Sequence, residues 1–121
     1  MYITMQMKII PKGLQAARLR QRKFALSRRF QIPTELLPGS LAQTARRCGK
    51  PTCHCATGAG HPIWYLTFMV AGAKRVERIP EAWVEEVRRR VEAGREFTQA
   101  LAEVMAANAQ LLTLWRRQTG Q

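Results

Sequence analysis

The three cysteines and two histidines of this chain all lie within fourteen residues, from Cys48 to His61. Thiolate and imidazole groups are the ligands that Zn²⁺ prefers, and four of them close a tetrahedral structural site. The spacing Cys-x4-Cys-x-Cys-x5-His predicts such a site, with Cys48, Cys53, Cys55 and His61 as ligands. His54 is the alternative fourth ligand, although its ring must turn back because it lies between two cysteines. The competing interpretation is three buried or incidental thiols.

Carboxylates are scarce around this block. The sequence contains no aspartate, and no glutamate lies between Glu35 and Glu77. A catalytic zinc needs an acid or base beside its open coordination position, and metal-dependent nucleases gather several carboxylates. A Gly-rich phosphate-binding motif ending in Gly-Lys-Ser/Thr is also absent. We therefore expect the zinc to be structural, and we expect neither enzymatic activity nor a small-molecule substrate.

The net charge of +12 is distributed unevenly along the chain. Residues 1–76 contain thirteen Lys or Arg and a single acid, whereas residues 77–121 contain seven Arg and seven Glu. A nucleic acid is the natural partner of such a basic segment. The alternatives are that the charge maintains solubility or attracts a protein partner. The residues expected to contact phosphates are Arg18, Arg20, Arg22, Lys23, Arg28, Arg29, Arg46, Arg47 and Lys50, followed by Lys74, Arg75 and Arg78.

The positions of helix- and strand-breaking residues, together with the spacing of apolar residues, predict the elements that position these side chains. Residues 1–35 are predicted to form a basic arm, either helical or disordered, and Ser40 is predicted to cap a short helix through Leu41 to Arg47. The predicted fold class is α+β, in which a zinc knuckle and a β-hairpin pack on a long C-terminal helix. The single domain at 36–121 then contains the knuckle at 36–62, the hairpin at 63–79 and the helix at 80–118. Ala71-Gly-Ala73 is the predicted turn of the hairpin, and the charges of Lys74, Arg75 and Arg78 predict that its second strand is the exposed edge.

The predicted helix carries an apolar stripe that steps by three and four residues from Val84 to Trp115. Pro80 followed by Glu81 is a favoured helix start. Glu85 with Arg89 and Glu86 with Arg90 have the i, i+4 spacing of ion pairs on the outer side of the helix. A continuous helix would be about 55 Å long, which is more than a domain of this size can cover. The length favours packing of residues 81–117 against a second copy or another protein. The alternative is that the helix folds back at Gly94.

Several short motifs together resemble a family of small bacterial and archaeal proteins with a domain of unknown function. They are Leu37-Pro-Gly-Ser-Leu41, Arg47-Cys-Gly-Lys-Pro-x-Cys53-x-Cys55 and Gly58-x-Gly60-His61, with a weaker likeness through about residue 115. Members are often found near transposase or recombinase genes. The resemblance therefore implies a DNA-related role but no particular activity.

No stretch of the sequence reaches the roughly 18 apolar residues of a membrane span, and residues 1–10 do not read as a signal peptide. We therefore expect a cytoplasmic protein with no membrane partner. The leading hypothesis is a small zinc protein that binds nucleic acid, with DNA favoured over RNA, as an accessory to a larger assembly. The alternative is a structural or adaptor protein that oligomerises, or docks a partner, through its long helix.

Overall fold

The computed structural model describes residues 11–47, 49–52, 58 and 60–120. Three of the four predicted zinc ligands, Cys48, Cys53 and Cys55, lie outside the described residues, as does His54. The fold is α+β, as the sequence predicts. Its elements in chain order are α1 (Leu14–Phe30), β1 (Ser40–Arg46), β2 (His61–Val70), β3 (Ala73–Ile79) and α2 (Val84–Thr119), with a single 3-10 turn at Glu81–Trp83 before α2.

The three strands form an antiparallel sheet in the order β1-β2-β3. The predicted hairpin is confirmed as β2 and β3, which are joined through Ala71 and Gly72. These two residues have φ angles of 51° and 82°, the positive values that a two-residue hairpin turn of type I′ requires. Except for the half-buried Ile79, the β3 residues are exposed. The strand is therefore the solvent-exposed edge of the sheet, as its charged residues predict.

The short helix expected from Leu41 to Arg47 is wrong, because this segment forms strand β1. Leu41 pairs with Leu66 of β2, and the register continues without a break to the pair Arg46 and His61. Leu41 also packs against the apolar core. Backbone pairing and burial in the sheet outweigh the weak helical preference of these residues.

The core lies between one face of the sheet and the first turns of α2. Leu66, Val87 and Val91 form its buried centre. The side chains of Leu37, Leu41, Phe68 and Ile79 pack around that centre. Because side chains alternate across a strand, Trp64, Leu66 and Phe68 of β2 all point toward α2. The Arg88 guanidinium lies 5.1 Å from the centroid of the Trp64 ring on the same side.

Helix α2 continues through Gly94 without a break, so the fold-back expected as one alternative at that residue does not occur. Gly94 instead allows the segment before β1 to cross α2 at close range. A Cβ atom at this position would lie 2.5 Å from the carbonyl oxygen of Leu37. One turn earlier, the Leu37 N–H donates a hydrogen bond to the Arg90 carbonyl oxygen at 3.1 Å. The absence of a side chain at Gly94 thus allows the segment before β1 to pack on α2.

Beyond Phe97, every residue of α2 is exposed through Thr119. This distal segment, residues 98–119, extends about 33 Å past the sheet at 1.5 Å per residue. Among the residues that the structure describes, no helix combines the length and the apolar character needed to cross a membrane.

Helix α1 contains no buried residue. It ends where Gln31 adopts a left-handed conformation, and the Gln31 N–H donates a hydrogen bond to the Ser27 carbonyl oxygen. The N-terminal segment is therefore helical from Leu14, with its basic side chains in solvent.

Candidate nucleic-acid interface and metal site

The cysteine block lies in the connection between β1 and β2, which comprises residues 47–60. Both ends of this connection are fixed by the sheet, because Arg46 is the last residue of β1 and pairs with His61, the first residue of β2. Most hairpin loops have two to five residues, so a fourteen-residue connection suggests a function of its own. His61 is half-buried and held by the strand, as a rigid ligand needs to be.

The strands approach each other closely where the connection returns to the sheet. A Cβ atom at Gly60 would lie 2.7 Å from the backbone nitrogen of Arg46 and 2.8 Å from its carbonyl carbon. Only glycine permits this approach without displacement of the backbone. Gly60 therefore fixes the position of His61 relative to Arg46.

The described part of the chain contains no cluster of three or more His, Cys, Asp or Glu side chains that could hold a metal ion. Of the four predicted ligands it includes His61 alone. The zinc site at Cys48, Cys53, Cys55 and His61 therefore stays a prediction.

The sheet face that points away from α2, here called the outer face, collects three of the predicted phosphate contacts. The alternation of side chains and the strand register place Arg46, Lys74 and Arg78 on it. All three are exposed. Tyr65, half-buried on the central strand, pairs with Arg78. The remaining residues of this face are Ser40, Ala42, Thr44, His61, Ile63, Thr67, Met69 and Val76, so it contains no acid. Ile63 is buried, so the face is not exposed at that position.

Exposed apolar groups lie among these cations. Met69 is 58% exposed and Val76 is 52% exposed. Lys74 pairs with Met69, and four residues separate Lys74 from Arg78, or roughly 13 Å along an extended strand. The outer face thus combines separated positive charges with apolar groups and a tyrosine, a composition suited to phosphates and the faces of bases.

The other predicted phosphate contacts lie elsewhere. Arg75 pairs with Phe68 and therefore shares the face that packs on α2, so the structure does not bring it to the outer face. Arg47 and Lys50 are exposed in the β1–β2 connection, one and four positions after Arg46 in sequence. The six basic residues predicted on the N-terminal arm all lie exposed on α1; they are Arg18, Arg20, Arg22, Lys23, Arg28 and Arg29.

One charged residue of structural importance is misplaced by the sequence interpretation. The predicted pair of Arg90 with Glu86 is confirmed, but its expected position on the outer side of the long helix is wrong, because Arg90 is 8% exposed. Its Nε atom lies 2.9 Å from Glu86 Oε1, and its Nη1 atom lies 2.7 Å from Glu35 Oε2. Position 90 is three residues after Val87 and four before Gly94, a spacing that indicates the buried side of α2.

Glu35 is the single acid among the first 76 residues, and this ion pair compensates its charge. Glu86 is compensated as well. The hydrogen bonds from Arg89 and Arg90 hold the pKa of its carboxyl below the ordinary value. Glu85 pairs with Arg88 at 3.5 Å, not with Arg89 as its spacing suggested. The positive charges of the outer face and α1 therefore have no acid beside them from the first two-thirds of the chain.

The model of a protein family described as a domain of unknown function, DUF6788, matches residues 15–89. The chain belongs to the DUF6788 family. The matched part of this DUF6788 chain includes α1, the whole sheet and the first turns of α2, and it ends before the distal segment. Neither the search of curated proteins nor that of solved structures finds a match.

Proposed function

We propose that this chain is a small zinc-binding protein that binds nucleic acid through phosphate contacts, as an accessory to a larger assembly. The observation that supports this most is the outer face, which contains no acid. On it Arg78 pairs with Tyr65, while Arg46 and Lys74 pair with His61 and Met69, the residues four positions before and after Tyr65 on the central strand. The six exposed basic residues of α1 add a second cationic surface. Phosphate contacts position a protein on its ligand but carry no sequence information, so we expect weak sequence preference.

The zinc part of the proposal rests on the β1–β2 connection. His61 is presented by a strand, and three cysteines follow one another within the connection that the strand pair closes. This donor set is the one that zinc favours, with His54 as the alternative to His61. Bound zinc would cross-link the connection through its cysteines, hold Arg47 and Lys50 near Arg46, and so extend the cationic surface. It would also stabilise a chain whose core is small.

The ligand class follows from the same surface. Tyr65, Met69 and Val76 offer groups on which unpaired bases can stack or pack, since every base has a π-face. The genomic association that the resemblance implies favours DNA over RNA. We therefore infer that single-stranded or partly unpaired DNA is the preferred ligand. The proposal includes no catalytic step.

The test is fluorescence anisotropy with labelled single-stranded DNA, duplex DNA and RNA hairpins, each over a series of salt concentrations. Each neutralised phosphate contributes about 0.7–0.9 to the slope of log affinity against log salt. We expect binding with a steep slope, and a shallower slope when Arg18, Arg22 and Arg29 of α1 are changed to glutamine in the full chain. Absence of binding to all three ligands near physiological salt would refute the proposal.

A further inference from the structure

The distal segment of α2 presents an apolar surface that no described residue covers. Its large apolar side chains are between 49% and 68% exposed; they are Leu101, Val104, Met105, Leu111, Leu112, Leu114 and Trp115. Most of them continue the stripe by which Val84, Val87 and Val91 pack on the sheet. The same side of one helix is thus buried within the domain over its first turns and exposed over its last six.

The stripe in the distal segment has a symmetry that defines a pairing. Its positions are 98, 101, 105, 108, 112 and 115, separated alternately by three and four residues. Such spacing is that of a two-helix coiled-coil seam. The six positions are symmetric about the midpoint between residues 106 and 107, so each position has a counterpart at the same distance on the other side. An antiparallel second copy therefore brings Leu101 opposite Leu112, Met105 opposite Asn108, and Thr98 opposite Trp115.

A groove lies beside Thr98, the seam position at the N-terminal end of this pairing. It has a volume of about 710 Å³ and is formed where the segment before β1 crosses α2. Its walls combine the apolar Leu36, Leu37, Pro38 and Ala102 with the polar Arg95, Thr98 and Gln99. Thr98 is the seam position that the pairing places opposite Trp115 of a second copy. Trp115 is 65% exposed in the single chain. A large aromatic side chain in a mostly apolar groove is a typical anchor of a protein interface.

We propose that the distal segment is a homodimerisation surface, on which two copies pair antiparallel and each inserts Trp115 into the groove of the other. The interface has two-fold symmetry, so both grooves are filled and the assembly closes at two copies. The proposal is independent of zinc and of nucleic-acid binding.

Area and charge both fit a second copy. Of the seven exposed apolar side chains, all except Leu114 lie on or beside the seam. These six, each contributing on the order of 100 Å², bury roughly 1,200 Å² in total across two copies, at the lower end of specific interfaces. Residues 97–115 contain a single charged residue, Glu103, so the seam brings no like charges together. The antiparallel arrangement also places the basic residues 1–76 of the two copies at opposite ends of the paired helices, where their mutual repulsion is weakest.

Light scattering coupled to size exclusion, performed on the full chain over a range of concentrations, tests the proposal. We expect twice the chain mass at high concentration. Leu112→Glu should weaken association at least tenfold. Leu114→Glu is the matched control, because this exposed leucine lies off the seam, and it should leave association unchanged. A monomer at all concentrations, or equal loss in both variants, would overturn the proposal.

A charge exchange tests the orientation. Leu101→Lys and Leu112→Glu should each weaken the dimer, whereas the double variant should recover most of the loss, because the antiparallel pairing brings Lys and Glu together twice. In a parallel pair each substituted residue would face the same residue of the other copy, so Lys would oppose Lys and Glu would oppose Glu. The double variant would then dimerise more weakly than either single variant. That result would refute the antiparallel pairing and the insertion of Trp115. Circular dichroism, with the sheet and helix signals unchanged, shows that the variants fold.

Discussion

The guanidinium of Arg90 reaches Glu35 across the segment that precedes β1, with Nη1 of Arg90 2.7 Å from Oε2 of Glu35. Fifty-five residues separate the two in sequence, and the Arg90 backbone carbonyl accepts a hydrogen bond from Leu37 in the same region. Arg90 thus holds the segment between α1 and the sheet on α2 through both its side chain and its backbone.

This arrangement predicts a large effect of Arg90→Met on stability. The substitution removes hydrogen bonds between charged groups at a buried position, and we expect a loss of about 2–3 kcal/mol in the free energy of unfolding. Urea unfolding followed by circular dichroism measures it. Arg89→Met is the control, since Arg89 pairs with Glu86 at the exposed surface and should cost less. An equal loss in both variants would contradict the role of Arg90.

Glu86 predicts how stability depends on pH. Its pKa is lowered in the folded chain by hydrogen bonds from Arg89 and Arg90. A carboxyl with a lowered folded-state pKa contributes stability that is fully present above its unfolded value, near about 4.3, and is lost as the pH falls through the folded value. The difference in melting temperature between the native chain and Glu86→Gln should therefore be largest at neutral pH and shrink below about pH 4. A difference that stays constant down to acid pH would contradict this.

Gly94 predicts a result opposite to intrinsic helix propensity. Alanine is favoured over glycine in a helix by roughly 1 kcal/mol. Here the added methyl would lie 2.5 Å from the Leu37 carbonyl oxygen. We expect Gly94→Ala to lower the melting temperature, because the segment before β1 must move away from α2. Ala100→Gly, the reverse exchange at an exposed position, should cost no more than about 1 kcal/mol. A higher melting temperature for Gly94→Ala would contradict this prediction, because it would show that the backbone at Leu37 can move away from α2 at little cost.

The zinc site predicts one equivalent of metal per chain by elemental analysis after purification without added chelator. Cys53→Ser should abolish the bound zinc. His61→Ala should lower zinc affinity by at least tenfold, whereas His54→Ala should leave it unchanged. The reverse outcome for the two histidines would reassign the fourth ligand. A native chain that purifies without zinc and does not take it up would refute the site.

The outer face predicts a specific pattern in nucleic-acid binding. Changing both Lys74 and Arg78 to alanine should reduce the slope of log affinity against log salt by about 1.4–1.8, which is about 0.7–0.9 per lost phosphate contact. Arg75→Ala is the matched control, because Arg75 is equally basic but shares the face of Phe68. If Arg75→Ala alone reduced the slope as much, the face would not be the determinant of binding.

The parts of the fold that were predicted correctly are those determined by local sequence. The turn at Ala71 and Gly72, the charged edge strand and the presence of a long helix after Pro80 all depend on neighbouring residues. The exact helix start was not predicted, because Pro80 is extended and α2 begins at Val84 after a 3-10 turn. Strand β1 was missed because its conformation depends on pairing with β2, whose first residue lies fifteen positions after Arg46. Local preferences of residues 41–47 carry no trace of that pairing.

The candidate site divides in the same way. The excess of positive charge in the first two-thirds was evident from composition, but the grouping of Arg46 with Lys74 and Arg78 requires the register of all three strands. The separation of Arg75 from Lys74 follows from strand alternation and was available from the sequence. The contact between Arg90 and Glu35 was not, because nothing local to either residue specifies the other.

The order of strands in the sheet also has a consequence for folding during synthesis. Each strand pairs with its neighbour in sequence, so the whole sheet can assemble from short-range contacts as soon as Ile79 has been made. At that moment one face of the sheet, with Leu66 and Phe68, still lacks its cover. Helix α2 follows the sheet in the chain, and Val87 and Val91 close the core only after its first turns have emerged. The nascent chain therefore passes through an interval in which an apolar sheet face is exposed, and that interval is when it is most prone to aggregate.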